Sequence, residues 1–215
     1  MKRDFSEFQD NEKVYDENGF LQYEGSIVNN HFNGDGKLFY QNGEIRYKGQ
    51  FKNGKPHGDG IAYYQNKNIK YIGKIRNGMP NGEGKSYDNN NNLKYTGLFK
   101  NGKYDGQGLK FKNGHLEYKG SFKNGKKNGF GFIYENKELM CCGYFKNGIP
   151  NGIFNFYYSL DNKPYIECKF SFGKAIYLKI FNLNGEIVFK RDYPSLNEIE
   201  AINTLIIFHN EKFST

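Results

Sequence analysis

Tyr47-Lys48-Gly49-Gln50-Phe51-Lys52-Asn53-Gly54-Lys55-Pro56-His57-Gly58-Asp59-Gly60 is the stretch that decides the fold. Tyr47, Gly49 and Phe51 alternate with Lys48, Gln50 and Lys52. That period of two gives one strand an aromatic side and a polar side. Asn53-Gly54 follows, a pair that tolerates the positive φ angles of a tight hairpin turn. A second strand is predicted from about Gly58 to Tyr64, and a turn near Asn66 returns the chain to Tyr71.

The same opening recurs as Tyr23-Glu24-Gly25-Ser26-Ile27, Tyr71-Ile72-Gly73-Lys74-Ile75, Tyr95-Thr96-Gly97-Leu98-Phe99, Tyr118-Lys119-Gly120-Ser121-Phe122 and Cys141-Cys142-Gly143-Tyr144-Phe145. Successive copies start 24, 24, 24, 23 and 23 residues apart. A worn seventh copy begins at Ile166-Glu167-Cys168-Lys169-Phe170, and Val14-Tyr15-Asp16-Glu17-Asn18-Gly19 reads as a half-repeat before the first. The shared pattern is Y-x-G-x-F-x-x-G-x-x-H/N/D-G-x-G. A fixed period of this length is the mark of a repeat architecture. Gly25, Gly49, Gly73, Gly97, Gly120 and Gly143 weaken a strand unless a close approach requires them. The expectation is that they leave room for a ring lying over the backbone. A second aromatic column, Phe39, Tyr63, Tyr87, Phe111, Tyr134 and Tyr157, falls three residues after the later glycines. Strand parity puts it on the opposite face unless a bulge intervenes.

Composition agrees with this reading. The 215 residues include 27 Gly, 18 Tyr and 20 Phe but no Trp; only 37% are hydrophobic, and mean hydropathy is −0.84. So little apolar surface ordinarily means disorder. An aromatic content of 18% points the other way, to rings used sparingly in a thin layer. No apolar run of about 18 residues suggests a membrane-spanning helix. The start, Met1-Lys2-Arg3-Asp4-Phe5, shows no apolar leader. Three cysteines, Cys141, Cys142 and Cys168, make no disulfide framework and suggest a reducing, cytoplasmic setting.

The repeat resembles the MORN family, the "membrane occupation and recognition nexus" motif, over roughly residues 14 to 189. Ile27 and Ile75 replace its second aromatic, Cys141 its first, and the seventh copy lacks the later glycine pair. The resemblance implies an all-β fold: an elongated, single-layer antiparallel sheet of stacked hairpins. It also implies a scaffold rather than an enzyme, in settings that include membrane junctions, the cytoskeleton and lipid kinases. The expected organisation is a flexible arm over residues 1–12, a repeat array over 13–190 and a capping segment over 191–215. In the last, Ser195 and Glu198 form a capping box. Leu196, Ile199, Ile202 and Ile206 follow at helical spacing, so a helix is expected over 195–208. It is expected to cover the open end of the array; the alternative is that it folds over the aromatic groove.

Two surfaces are candidates for function. Tyr23, Tyr47, Phe51, Tyr71, Tyr95, Phe99, Tyr118, Phe122 and Phe145 line one face. They are expected both to form the core and, lacking a second layer, to offer a groove to a partner helix or extended segment. Lys52, Lys55, Arg76, Lys100, Lys103, Lys123, Lys126, Lys127 and Lys146 flank the turns and are expected on one edge. With the net charge of +8 they suit an anionic phospholipid surface or an acidic protein, or they serve solubility alone. Separate aromatic and basic surfaces disfavour nucleic acid. A homodimer through open sheet ends is compatible with the pattern, as is a regulatory role beside a lipid kinase. His31, His57, His115 and His209 match no catalytic arrangement, and the cysteines lack zinc spacing. No catalytic residue, metal or cofactor is expected. His57 shares its column with Asn33, Asn81, Asp105, Asn128 and Asn151, which points to turn hydrogen bonding. Cys142 is expected to be exposed.

Overall fold

The computed structural model describes residues 12–157 and 163–194. The chain divides after Gly114 into two compact units. The first holds β1 (Glu12–Tyr15), β2 (Leu21–Val28), β3 (His31–Phe39), β4 (Ile45–Lys52), β5 (Lys55–Tyr63), β6 (Ile69–Arg76), β7 (Met79–Tyr87), β8 (Leu93–Lys100) and β9 (Lys103–Lys112). The second holds β10 (His115–Lys123), β11 (Lys126–Glu135), β12 (Glu138–Lys146), β13 (Ile149–Tyr157), β14 (Pro164–Ser171), β15 (Lys174–Phe181) and β16 (Ile187–Asp192). Among the described residues there is no helix. In each unit the strands follow chain order as an open antiparallel sheet of sequential hairpins, as the repeat predicts. β1 is the half-repeat, paired with β2. The helix expected over 195–208 lies outside the described residues, as does the N-terminal arm except for Glu12, which opens β1.

The hairpin turns are made as the sequence dictates. Asn53 and Gly54 have φ of 49° and 77°, so both central residues are left-handed, as a type I′ turn requires. Four residues later Gly58, at φ 77°, sits in a bulge where β5 slips against Gly49 and Phe51 of β4.

Five copies are closed by a tyrosine lying over a pair of facing glycines. Gly25 pairs with Gly36, and a Cβ on Gly36 would come within 2.5 to 2.7 Å of the Tyr23 ring. The Tyr23 hydroxyl reaches past them and donates to the Ser26 carbonyl at 2.8 Å. Tyr47, Tyr71, Tyr95 and Tyr118 donate in the same way to Gln50, Lys74, Leu98 and Ser121. In the first unit the glycines form one transverse row, Gly25-Gly36-Gly49-Gly60-Gly73-Gly84-Gly97-Gly108, through successive strand pairs.

The second unit changes this device in stages. Its row runs Gly120-Gly131-Gly143 and then Phe154, Cys168, Leu178 and Arg191. Where Cys141 replaces the tyrosine, Phe154 replaces the facing glycine, and its ring covers Gly143 in the tyrosine's stead. Both Cys141 and Phe154 are 2% exposed. Further on, Tyr165, Ile166, Cys168 and Leu178 form a hydrophobic cluster with no glycine pair.

The face of the second aromatic column follows from the register. Ala62 pairs with Tyr71 and Tyr63 with Ile69, so the extra residue, Lys70, is in β6 and not in β5. Tyr63 therefore keeps its own strand's alternation and lies opposite Tyr47, around a hollow with Lys48, Ile61 and Ile72. Cys142, expected to be exposed, is buried, its Sγ 3.4 Å from the Tyr157 hydroxyl. A residue at that column is covered because Tyr157 packs over it.

The exchange at the sixth copy is testable. Cys141→Tyr alone puts two rings over Gly143 and should destabilise by about 1–3 kcal/mol, as overpacking does. Cys141→Tyr with Phe154→Gly should recover most of that loss. Urea unfolding of the four proteins measures the coupling; additive effects would refute ring substitution at this site.

Candidate interaction surfaces

The aromatic face is built from two interleaved kinds of ring. Phe51 packs edge-on between Tyr23 and Tyr47, with centroids 5.2 Å from each. Phe99 does the same between Tyr71 at 5.2 Å and Tyr95 at 5.0 Å, and Phe122 meets Tyr118 at 5.1 Å. Phe145 bridges Tyr118 and Phe154. Such edge-to-face pairs are the favoured arrangement of aromatic quadrupoles. Within each unit the predicted face residues are core side chains, six in the first and three in the second, and all nine are 0 to 6% exposed. In the chain alone they offer a partner a floor bounded by neighbouring groups, with little ring surface.

A third column, not recognised in the sequence, helps to seal them. Phe32 stacks on Tyr23 at 3.7 Å and Tyr104 on Tyr95 at 3.8 Å, each nearly parallel. The equivalent residue in the fifth copy is Lys127, whose Nζ lies 4.8 Å from the Tyr118 centroid and 5.5 Å from that of Phe145. This is a cation–π contact. Lys127 was expected in the basic edge, but it is half-buried against these rings. The signal for the column was its place two residues after the second turn residue, a glycine in every copy but the first, where Pro56, Pro80 and Pro150 also stand.

The basic edge is otherwise where the hairpin rule puts it, within each unit. Lys52, Lys55, Arg76, Lys100 and Lys103 in the first, and Lys123, Lys126 and Lys146 in the second, are exposed beside their turns. The turns are tied to one another. Gly54 N–H donates to the Phe32 carbonyl at 2.9 Å, Gly78 to Pro56 at 2.8 Å and Gly102 to Pro80 at 2.9 Å. The Asn/His/Asp column adds to the ties: Asn81 accepts from the Asn101 N–H, Asn128 from Asn147 and Asn151 from Phe172. Two strands advance about 10 Å, so Lys52, Arg76 and Lys100 are held at roughly that spacing. Arg76 and Lys100 border an open hollow of about 520 Å³ with Met79, Leu98 and Asp105.

The opposite face of the sheet carries residues that sequence reading passed over. In the first unit it holds paired polar residues: Asp35 faces Gln50, and Asp59 bridges Lys74 at 2.8 Å. In the second unit the same positions hold Phe130 facing Tyr144, with Ile153 in the next strand pair. Phe130 contacts Phe132 at 5.2 Å and Tyr144 at 5.1 Å. Phe130, Tyr144 and Ile153 are 39%, 55% and 44% exposed. The middle residue of G-x-G, read down the copies as Asp35, Asp59, Glu83, Gln107 and Phe130, with Ile153 in the corresponding Gly152-Ile153-Phe154, carried the signal.

The titratable groups of these surfaces are held in structural roles. Burial pushes the Tyr71 and Tyr118 phenols up to about 12. Tyr23 also reaches about 12, from burial first and then the charges of Asp35 and Glu12. Burial raises the thiols of Cys141 to about 12 and Cys168 to about 11, so both are protonated at neutral pH and poor nucleophiles. Glu167 accepts from Lys179 at 2.8 Å and Tyr177 at 2.6 Å, and these bonds hold its carboxyl below the usual range. Among the described residues no group of three or more His, Cys, Asp and Glu is placed to hold a metal ion.

Open antiparallel meanders closed by tyrosines over glycine pairs define a class of hairpin-repeat protein. The MORN repeat family matches residues 47–69, 95–115, 118–134 and 141–153, and the MORN repeat variant matches residues 32–53 and 80–101. The chain is a MORN-repeat protein, of a kind that is generally non-catalytic and engaged with proteins or membranes. Comparison with curated proteins yields no match.

Alkaline unfolding should report the buried phenols. Their ordinary value is about 10 and the folded values of Tyr23, Tyr71 and Tyr118 are about 12. Below pH ~10 both states keep these protons and stability is unaffected by them. Between pH ~10 and ~12 only the unfolded chain releases them, so stability falls by about 1.4 kcal/mol per pH unit for each proton retained. Urea midpoints followed with tyrosinate absorbance check this. A midpoint unchanged across that interval would contradict the burial of these hydroxyls.

Proposed function

We propose that the protein is a non-catalytic scaffold that binds a protein partner on its repeat sheet. The observation that supports this reading is the exposed Phe130, Tyr144 and Ile153 in the second unit, with the half-buried Phe132 beside them. At the Phe130 position the first unit has Asp35, Asp59, Glu83 and Gln107, and at the Tyr144 position it has Ser26, Gln50 and Lys74 beside the apolar Leu98, so the repeat itself does not demand aromatic residues there. Contiguous exposed aromatics on a soluble surface mark contact sites, and tyrosine is suited to them. A partner presenting a helix or extended segment with apolar side chains fits this chemistry. The aromatic groove enters the reading as the rigid floor behind the sheet. Removing Tyr95 and Phe99, both at most 5% exposed, would act on stability before binding. Three unpaired cysteines suit a reducing compartment, so the proposed location is the cytoplasm, beside a membrane or the cytoskeleton.

The test compares wild type with Phe130→Ser/Tyr144→Ser in affinity purification with mass spectrometry. A partner held by wild type should be retained at least about tenfold less by the variant, as for loss of a hot spot worth 1.4 kcal/mol or more. Thermal melts within a few degrees of each other would show that folding is intact. An unchanged partner set would reject the surface.

One observation favours a second reading, a peripheral module for anionic phospholipid. In the first unit the exposed cations Lys52, Lys55, Arg76, Lys100 and Lys103 sit on turns held in register by backbone hydrogen bonds. Each Lys or Arg near an anionic surface contributes about 1 kcal/mol. Flotation with anionic vesicles should show binding at low salt that is lost at high salt and lost in Lys52→Glu/Arg76→Glu/Lys100→Glu. Absence of binding at low salt would eliminate this reading.

A further inference from the structure

One turn of the second unit departs from its counterparts. The turns of the basic edge open on asparagine at Asn29, Asn53, Asn77, Asn101, Asn124 and Asn147, each with φ between 49° and 54°. Between β14 and β15 the same place is taken by Phe172, with φ of 48°. Asparagine enters this left-handed region readily because its short polar side chain can bond locally, whereas a bulky ring there is rare and strained. The ring does not join the core, being 77% exposed. Nor do the ties of the turn need it: Phe172 N–H donates to Asn151 Oδ1 at 3.3 Å and Gly173 N–H to the Pro150 carbonyl at 2.9 Å. A strained backbone position holding an exposed ring points to a contact outside the chain.

The ring stands beside a second apolar side chain and among cations. Ile149, the first residue after the neighbouring turn, is 49% exposed and lies against the Phe172 turn, since a Cβ on Gly173 would come within 2.7 Å of its Cγ2. Lys146 Nζ is 5.9 Å from the Phe172 ring centroid. Lys123, Lys126, Lys146 and Lys174 are exposed on the three turns of this edge, and residues 123–128, 146–151 and 171–174 include no carboxylate. The turns at the other ends of these strands, 135–138 and 182–186, hold Glu135, Glu138 and Glu186 against Lys137 alone. Apolar tips ringed by cations match the interface of an anionic bilayer, where lysines meet phosphates and apolar side chains enter the acyl boundary. Hairpin tips about 10 Å apart present points rather than a groove, which suits a broad surface better than a peptide segment. We infer that Phe172 and Ile149 insert into an anionic phospholipid bilayer, held there by Lys126, Lys146 and Lys174; this rests on the phospholipid reading above and adds to it insertion by the second unit.

The full chain contains no Trp, so a single introduced one reports its own surroundings. Phe172→Trp and, as a control, Leu183→Trp are compared; Leu183 is also 77% exposed but lies on the opposite turn, beside Glu186. With vesicles of phosphatidylserine and acyl-brominated phosphatidylcholine at low salt, Phe172→Trp emission should shift to the blue and be quenched, while Leu183→Trp emission should not. A second measurement separates insertion from folding. Phe172→Asn restores the residue of the other copies, so it should melt at the same temperature as wild type or a few degrees higher, yet bind phosphatidylserine vesicles at least about tenfold more weakly. Undiminished binding by Phe172→Asn, or quenching of Phe172→Trp no greater than that of Leu183→Trp, would overturn insertion while leaving the phospholipid reading standing. No binding by wild type at low salt would reject both.

Discussion

A phenol ring laid across two facing glycines, with its hydroxyl donating to a carbonyl three residues further on, is the constraint on which the structure depends. A sheet without a second layer must find its core within one layer. Removing Cβ from both members of a cross-strand pair lets Tyr23 lie flat against the backbone of Gly25 and Gly36. The Ser26 carbonyl satisfies the buried hydroxyl. Apolar burial and polar satisfaction come from one side chain, which is how a chain of mean hydropathy −0.84 retains a closed core.

Every other feature is arranged around that ring. Phe51 and Phe99 fill the space between successive tyrosines, and Phe32, Tyr104 and Lys127 lie on the tyrosine faces. The turns stack by hydrogen bonds from turn glycines such as Gly54, Gly78, Gly102 and Gly148 to the preceding hairpin. Where the tyrosine is lost at Cys141, the facing position changes from glycine to Phe154, so the volume over Gly143 stays filled. The departures from the repeat are thus compensated physically rather than merely tolerated.

The division between structure and interaction follows. One face is used up in holding the sheet together, and its charged and aromatic groups are occupied with one another. The turn edge and the opposite face are free to vary without disturbing the ring lock. In the first unit that freedom is spent on charged pairs such as Asp59 with Lys74, and in the second on Phe130 and Tyr144.

The hairpins, their turns and the aromatic-glycine pattern were legible in the sequence, because a period of two, an Asn-Gly pair and a 24-residue repeat are local properties. So was the placement of most lysines at the turns. Three things were decided only by tertiary structure. The burial of the nine rings depends on neighbours from adjacent hairpins, which a strand read alone does not reveal. The face of Tyr63 depends on which strand of a pair carries the bulge, and the register assigns the extra residue to β6. Lys127 reads as one more turn lysine, yet its ammonium settles over Tyr118, because a flat ring left open at that height attracts a cation as well as it does the Phe32 or Tyr104 of other copies.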